Sequence, residues 1–287
     1  MRRFTHLICV AIMAMAMGSG SCNAQTQTIT PSSNIINRTV KTGDISGIVM
    51  MCKGKVVYSQ GAASSIRMNG ADNVLDVVEL KNNGGKLVIK FRDKVNVPKL
   101  EDDELVFYIT SPSVNSLSVT GSGDIEVNSA LNVSSLDLQV SGSGDVETKG
   151  IKASGNINVS VSGSGAVEMD IDNRASSINI GISGSGDVEC DNVTARSISC
   201  GVSGSGDVEF KGGITNKASF EVSGSGEVEA KHLEAGIVVA AVSGSGKVVC
   251  RASDTLESSI SGSGSVKYYG TPKVTSAGRK QPEAARF

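Results

Sequence analysis

The tripeptide Gly-Ser-Gly recurs eight times in this chain, with first glycines at Gly121, Gly142, Gly163, Gly184, Gly204, Gly224, Gly244 and Gly262. The gaps between them are 21, 21, 21, 20, 20, 20 and 18 residues. A repeat of that period implies one structural unit per copy. Aligning the units on the first Gly produces apolar columns. Two residues before it stand Val119, Val140, Val161, Ile182, Val202, Val222, Val242 and Ile260. Four residues after it stand Ile125, Val146, Val167, Val188, Val208, Val228, Val248 and Val266. Further apolar columns lie four and six before and six after, broken at Asn115, Thr148 and Ser258. They alternate with polar columns at period two, the mark of strands with one buried face. A unit of about 20 residues cannot bury its own apolar face, but stacked units bury it together. The expected fold class is therefore all-β, a parallel β-helix (β-solenoid) of about eight coils. At about 4.8 Å per strand, eight coils rise roughly 34 Å.

Within each unit the glycines mark a sharp corner, where a positive φ or a close approach between coils requires them. The middle serines are placed to line up as a hydroxyl ladder. One nucleotide does not need eight such turns, so phosphate cradling is disfavoured. The return segment often carries one more apolar residue (Leu131, Ile151, Ile171, Val193, Ile214, Leu233), which points to a third short side.

The repeat accounts for residues 117–270. Residues 25–116 read as a β-rich region with strands at 45–51, 55–59, 74–80, 86–91 and 105–110. Asn82-Asn83-Gly84-Gly85 is a hairpin turn. This region is expected to cap the rod, since solenoids need capped ends to hide open edges. Residues 271–287, with Arg279, Lys280 and Arg286 and no periodicity, are expected to be a disordered tail.

The first 24 residues read as a signal peptide. Arg2 and Arg3 precede an apolar run at 7–17, too short to cross a bilayer. Two endings compete. Ser19-Gly20-Ser21-Cys22 resembles a lipobox without its usual Leu and would make Cys22 the lipidated first residue. Cys22-Asn23-Ala24 offers cleavage before Gln25. Either ending exports the chain to the periplasm, the outer membrane as a lipoprotein, or the cell surface. A membrane is then engaged only through a lipid anchor. The net charge of −2 argues against a nucleic-acid partner, which calls for a basic patch.

The repeated Val-Ser-Gly-Ser-Gly-Asp-Val-Glu resembles the family described as putative auto-transporter adhesin, head GIN domain. Ile45-Ser46-Gly47-Ile48-Val49, Leu87-Val88-Ile89 and the run Val106-Phe107-Tyr108-Ile109-Thr110-Ser111-Pro112 look like its opening strands, and Tyr269-Gly270-Thr271-Pro272 is similar to its closing turn. The resemblance implies a secreted or lipid-anchored β-helical protein of bacterial envelopes. It brings no catalytic or ligand residues with it. The late coils depart from the pattern by replacing acids with Lys247, Val249 and Lys267.

Two acidic columns share the outward face. Asp124, Asp145, Asp187, Asp207 and Glu227 lie three after the first Gly, interrupted by Ala166; Glu126, Glu147, Glu168, Glu189, Glu209 and Glu229 lie five after. Like charges at that spacing repel by about 0.9 kcal/mol per neighbouring pair even in water. Asp187, Glu189, Asp207 and Glu209 are the candidates for calcium, a hard cation that takes several oxygens. No cofactor is otherwise implied. An Asp/Glu pair two residues apart is also spaced as in inverting glycosidases. It recurs on nearly every coil, however, and no long loop surrounds any one copy. His232 is the one histidine after the leader, which disfavours a triad or a His-rich zinc site. Cys52, Cys190, Cys200 and Cys250 are expected to be buried free thiols.

The sequence thus points to a non-enzymatic exported adhesin or envelope interaction protein, binding through its sheet faces. The partner would be an envelope or host surface protein or a glycan. Two alternatives stand beside it: a polysaccharide hydrolase or lyase using a surface Asp/Glu pair, and an envelope scaffold or stress protein without external ligand.

Overall fold

The computed structural model of the chain describes residues 26–101, 103–172, 175–278 and 280–285. The expected leader, with Cys22, lies outside them. The chain winds into a β-solenoid of about 8 turns. We number the coils 1 to 8 by their Gly-Ser-Gly turns, from Gly121 to Gly262. Each strand pairs in parallel with its equivalent in the next coil. Coil 2 pairs with coil 3 as Leu136↔Ile157, Leu138↔Val159 and Val140↔Val161, and glycine meets glycine at Gly142↔Gly163. After the turn, Val188↔Val208 and Glu189↔Glu209 keep the same register.

The aligned columns make up the core. The residues four after the turn, Ile125 and seven valines, are all buried, from Ile125 at 1% exposed to Val266 at 0%. Each contributes about 1.5–3 kcal/mol. Across the interior, Phe210 and Phe220 face each other with ring centroids 5.9 Å apart. Thr148 and Ser258, which broke the apolar rule, are buried nonetheless. The Thr148 hydroxyl donates to the Glu168 carbonyl at 3.4 Å.

The turn explains both glycines. Gly184 has φ +133°, and a Cβ there would stand 2.5 Å from the carbonyl oxygen of Gly163, one coil below. That carbonyl accepts the N–H of Ser185 at 2.8 Å. At Gly186 a Cβ would run into the Gly165 carbonyl and stand 2.5 Å from Val161 Cγ1. The first glycine is therefore fixed by backbone angle and coil contact together, the second by contact alone. The middle serines of all eight turns stand exposed at the corner.

The third side exists, and one residue assigned to it is corrected. Leu131, Ile151, Ile171, Val193 and Leu233 are buried there, but Ile214 is 56% exposed. The register sets Gly213, not Ile214, between Val193 and Leu233. Gly213 takes the inward position with φ +131°, and its neighbour must then face solvent. A second inward column on this side consists of small residues: Ala153, Ala175, Ala195, Thr215, Ala235 and Ala252.

Both ends differ from the expectation. The solenoid begins well before residue 117. Gly47–Met50 and Lys55–Gln60 form a coil beneath coil 1, with Met50 under Val119 and Lys55 under Asp124. Lys86–Phe91 and Leu105–Ser111 form a further coil outside that one. The chain thus lays down the second layer first, turns outward, then passes back to coil 1. Antiparallel strands close this end. Val78–Asn83 pairs with Lys86–Phe91 through the Gly84-Gly85 turn, while Ser65–Ala71 pairs with Leu105–Ser111 and Ile35–Val40 in turn with Ser65–Ala71. The strand expected at 74–80 is split into a helical turn, Asp72–Leu75, and the strand Val78–Asn83. Val74 and Leu75 are adjacent and both buried, a pattern no half-buried strand allows.

At the other end, the tail expected to be disordered forms strands. Lys273–Gly278 pairs with coil 8 as Leu256↔Val274 and Ile260↔Gly278, and Glu283–Ala284 pairs beside Lys267 and Tyr268. An open parallel edge supplies partners for the backbone, so this segment needs no apolar face of its own. Ser276 and Gly278 occupy what would be core columns, as suits a terminal coil with a polar outer face.

Candidate functional site

The side of the solenoid after the Gly-Ser-Gly turn is its charged face. The aspartates three after the turn have a structural task. Asp124 Oδ1 accepts the N–H of Asp145 at 3.0 Å, and Asp145 Oδ1 accepts that of Ala166 at 2.8 Å. Asp187 does the same for Asp207 at 3.0 Å, and Asp207 for Glu227 at 2.8 Å. Where the preceding coil lacks an Asp, the same N–H turns to a turn carbonyl. Asp187, above Ala166, donates to Gly165 at 3.2 Å. Lys247, above Glu227, donates to Gly226 at 3.1 Å. Ser265, above Lys247, donates to Gly246 at 3.1 Å. Each Asp is thus an inter-coil clip, a charged acceptor for a backbone donor at the corner.

The glutamate column is interleaved with lysines. Lys55 Nζ lies 2.5 Å from Glu126, and Lys149 Nζ lies 3.3 Å from Glu147. Lys211 pairs with Glu189 and Lys231 with Glu229, and in the neighbouring column Lys247 pairs with Glu227. The hydrogen bond from Lys55 holds the Glu126 carboxyl below its usual value, and the same bond raises the Lys55 ammonium. Lys231 lowers Glu229 in the same way. These cations offset the repulsion expected along the column. Of the four calcium candidates, Asp187 and Asp207 each commit an oxygen to a backbone N–H, and Glu189 pairs with Lys211. Glu209 is exposed in the same column. Among the described residues, no group of three or more His, Cys, Asp or Glu side chains is arranged to hold a metal ion.

The side before the turn is flat, polar and largely uncharged. Ser141, Ser162, Ser183, Ser203, Ser223, Ser243 and Ser261 form one column of it. An amide ladder runs beside them: Asn158 Nδ2 donates to Asp137 at 2.7 Å, and Asn179 Nδ2 to Asn158 Oδ1 at 2.9 Å. Ser177 donates to Asn156 Oδ1 at 3.0 Å. Towards coil 7 this face becomes apolar, with Ile237 at 40% exposed. His232 is exposed on the return segment.

The four cysteines are buried and free. Desolvation pushes the thiols of Cys52, Cys200 and Cys250 up to about 12, and Cys190 upward as well. They act as small apolar core residues. Among the described residues, no helix is long and apolar enough to cross a membrane.

A family model described as putative auto-transporter adhesin, head GIN domain, matches residues 44–212 and again 157–272. The chain belongs to this family. The two matches overlap over residues 157–212, somewhat under three coils, as a repeating stack permits. Among solved structures, a putative adhesin from Parabacteroides merdae superposes with a TM-score of 0.70 at 17% identity, covering 90% of this chain and 99% of its own. A putative lipid binding protein from Parabacteroides distasonis gives 0.67 at 21% identity, covering 91% and 100%. A putative adhesin from Bacteroides fragilis gives 0.51 at 21%, covering 90% and 100%. At these identities the likeness is one of fold. No curated protein sequence matches the chain.

For this head GIN domain protein, sequence reasoning missed two features of the faces. One is the role of Asp as an amide acceptor, which only the inter-coil geometry reveals. The other is the degenerate turn Cys52-Lys53-Gly54, which stands under Gly121-Ser122-Gly123. Ile48, Met50, Val56 and Tyr58 around it match the repeat's apolar columns, so an alignment by column rather than by Gly-Ser-Gly would have found it.

Proposed function

We propose that the protein is an exported, non-enzymatic adhesin that binds a glycan or a protein of the envelope or a host surface through its serine- and asparagine-rich face. One observation carries the reading: the amide ladder through Asp137, Asn158 and Asn179 holds exposed polar side chains in fixed positions on a flat sheet. Side chains already held in place lose little conformational entropy on binding. Two further points support it. The family is named for adhesion. The recurring Asp of each Asp/Glu pair is tied to the backbone of the next coil, a structural duty shared by several coils rather than a feature of one site.

The test is an array of glycans and extracellular-matrix proteins probed with residues 26–287, with calcium and with chelator. Saturable binding lost in Asn158→Lys and Asn179→Lys, and unchanged by chelator, is the expected result. Binding that survives both substitutions removes the site from this face. Release of reducing ends from a bound polysaccharide overturns the non-enzymatic reading.

A further inference from the structure

Below coil 1 the charged face changes character. The strands Lys55–Gln60, Leu105–Ser111, Ser65–Ala71 and Ile35–Val40 run side by side there and contain no Asp or Glu. The register carries the glutamate column through Val57 to Tyr108, and across the antiparallel pairs to Arg67 and Thr39. Of the cations in these strands, Lys55 is paired with Glu126 and Arg38 with Asp76. Arg67 has no carboxylate partner among the described residues; its guanidinium is held by an amide and a ring.

The guanidinium lies over the Tyr108 ring, 4.0 Å from its centroid, and Tyr108 is itself 38% exposed. Arg67 Nη1 donates to Asn37 Oδ1 at 3.0 Å. The same oxygen accepts from Asn69 Nδ2 at 3.3 Å, so the Asn37 amide is fixed through its oxygen. Among the described residues, Arg67 Nε and Nη2 and Asn37 Nδ2 are left without an acceptor. Nε and Nη2 form the edge of a guanidinium that grips a carboxylate through two parallel bonds. Along the column the first acid is Glu126, three strands or about 14 Å away. Along the strand it is Glu104, four residues before Tyr108 and about as far. Both lie beyond the screening length of about 8 Å at physiological salt. We propose that Arg67, Asn37 and Tyr108 form a subsite for the carboxylate of an acidic sugar, a uronic or sialic acid residue of a glycan. The carboxylate takes the open edge of Arg67. Around it stand Thr39, Asn37, Asn69 and Thr110, hydroxyls and amides matched to the hydroxyls of a sugar ring; peptide side chains ask for pockets instead. The guanidinium is already positioned by the ring and the amide, so little ordering is left for binding to impose. This subsite lies on the side after the turn, apart from Asn158 and Asn179. It adds to the binding proposed for the serine- and asparagine-rich face without depending on it.

A nuclear magnetic resonance titration of isotope-labelled residues 26–287 tests this with sialyllactose and with trigalacturonate. Each is run beside its neutral counterpart, lactose or the methyl ester of trigalacturonate. The Arg67 Nε–H and Asn37 side-chain amide signals should shift saturably with at least one acidic sugar and with neither neutral one. Arg67→Lys keeps the charge and the stem but not the two-pronged edge, and should weaken binding at least about tenfold. Tyr108→Phe keeps the ring and should bind as the wild type does. The double variant Asn158→Lys, Asn179→Lys should bind acidic sugar unchanged, whatever becomes of its own face. Failure of both acidic sugars to bind overturns the proposal, as does equal binding of the neutral counterparts. Binding kept in Arg67→Lys but lost in the Asn158 and Asn179 variant also overturns it and moves the site to the other face. A triglutamate peptide that binds as tightly as the acidic sugars overturns the sugar assignment in favour of a protein partner. Circular dichroism establishes that the variants are folded.

Discussion

The contrast between Gly181 and Gly184 offers a sharp test of the turn geometry, because both belong to the strand Ala175–Gly184. The same substitution should have opposite effects three residues apart. At Gly184, alanine meets two penalties. Its φ of +133° lies where L-residues are strained, costing about 1–3 kcal/mol. Its Cβ would also sit 2.5 Å from the Gly163 oxygen and 3.1 Å from the Gly163 nitrogen. Both are backbone atoms of a hydrogen-bonded stack and yield poorly, so overpacking adds about 1–3 kcal/mol. The sum, on the order of 4 kcal/mol, corresponds to a fall in Tm on the order of 10 °C for a domain of this size. At Gly181 nothing lies within 4 Å of the new Cβ, which points to solvent. Alanine there relieves the entropic cost of a strand glycine and should leave stability unchanged or raise it by about 0.5 kcal/mol. Thermal melts of both variants, with hydrogen exchange to locate the loosened coils, decide the matter. Equal melting temperatures for Gly181→Ala and Gly184→Ala would falsify the account of the corner.

Further expectations follow from the same packing. Asp145→Ala should cost less than about 1 kcal/mol in a denaturant melt, the net worth of a typical hydrogen bond; above Ala166 the corresponding N–H already donates to a turn carbonyl. Ile178→Ala should cost about 2–5 kcal/mol, whereas Ile214→Ala should stay within about 0.5 kcal/mol, because the first is 0% and the second 56% exposed. Native protein should resist a thiol-alkylating reagent at neutral pH and react at Cys52, Cys190, Cys200 and Cys250 once unfolded, as mass spectrometry would count. The Lys55–Glu126 pair joins the layer beneath coil 1 to coil 1. Glu126 is depressed below 4.5, so its contribution is present above that pH and is lost as pH falls through the folded value. Lys55 is raised above 10.5, so its contribution is present below that pH and is lost as pH rises through the folded value. Protection from hydrogen exchange at this junction, relative to the intrinsic rate at each pH, should be greatest between the two, by an amount typical of surface pairs, about 0.2–1 kcal/mol, and Glu126→Gln should abolish the acid limb.

The strand columns were legible because the side-chain period of a strand is two and the repeat is long enough to display it eight times. Val119, Val146 and their equivalents could be assigned without any coordinates. The ends were not legible, for different reasons. Cys52-Lys53-Gly54 keeps only one glycine of the motif, so its layer was hidden behind a changed turn. Lys273–Gly278 has no apolar alternation, since an existing edge organises it. Ile214 misled because two glycines precede it, and an apolar residue beside an inward glycine looks like the inward residue itself. The acidic columns were visible as charge, but charge alone does not distinguish a ligand cage from a backbone acceptor. That distinction needed the hydrogen bonds from Asp124 and its equivalents to the next coil.

Those hydrogen bonds change where function should be sought. A residue that recurs because the stack needs it says little about a ligand, however suggestive its chemistry. The turn glycines, the inward valines and the aspartate clips all belong to that class. What varies between coils is free of that constraint: the outward side of the strand before the turn, and the points where the acidic columns stop. The first variation runs Gln139, Ser160, Gly181, Gly201, Glu221 and Ala241 in successive coils and follows no rule that the stack imposes. The second reverses charge at Lys247 and Lys267, at a place where the turn carbonyls of Gly226 and Gly246 have already taken over the clip's hydrogen bond. The stack therefore permits lysine at position 247 without loss of a backbone partner for the residue above it, and the same holds of Glu227.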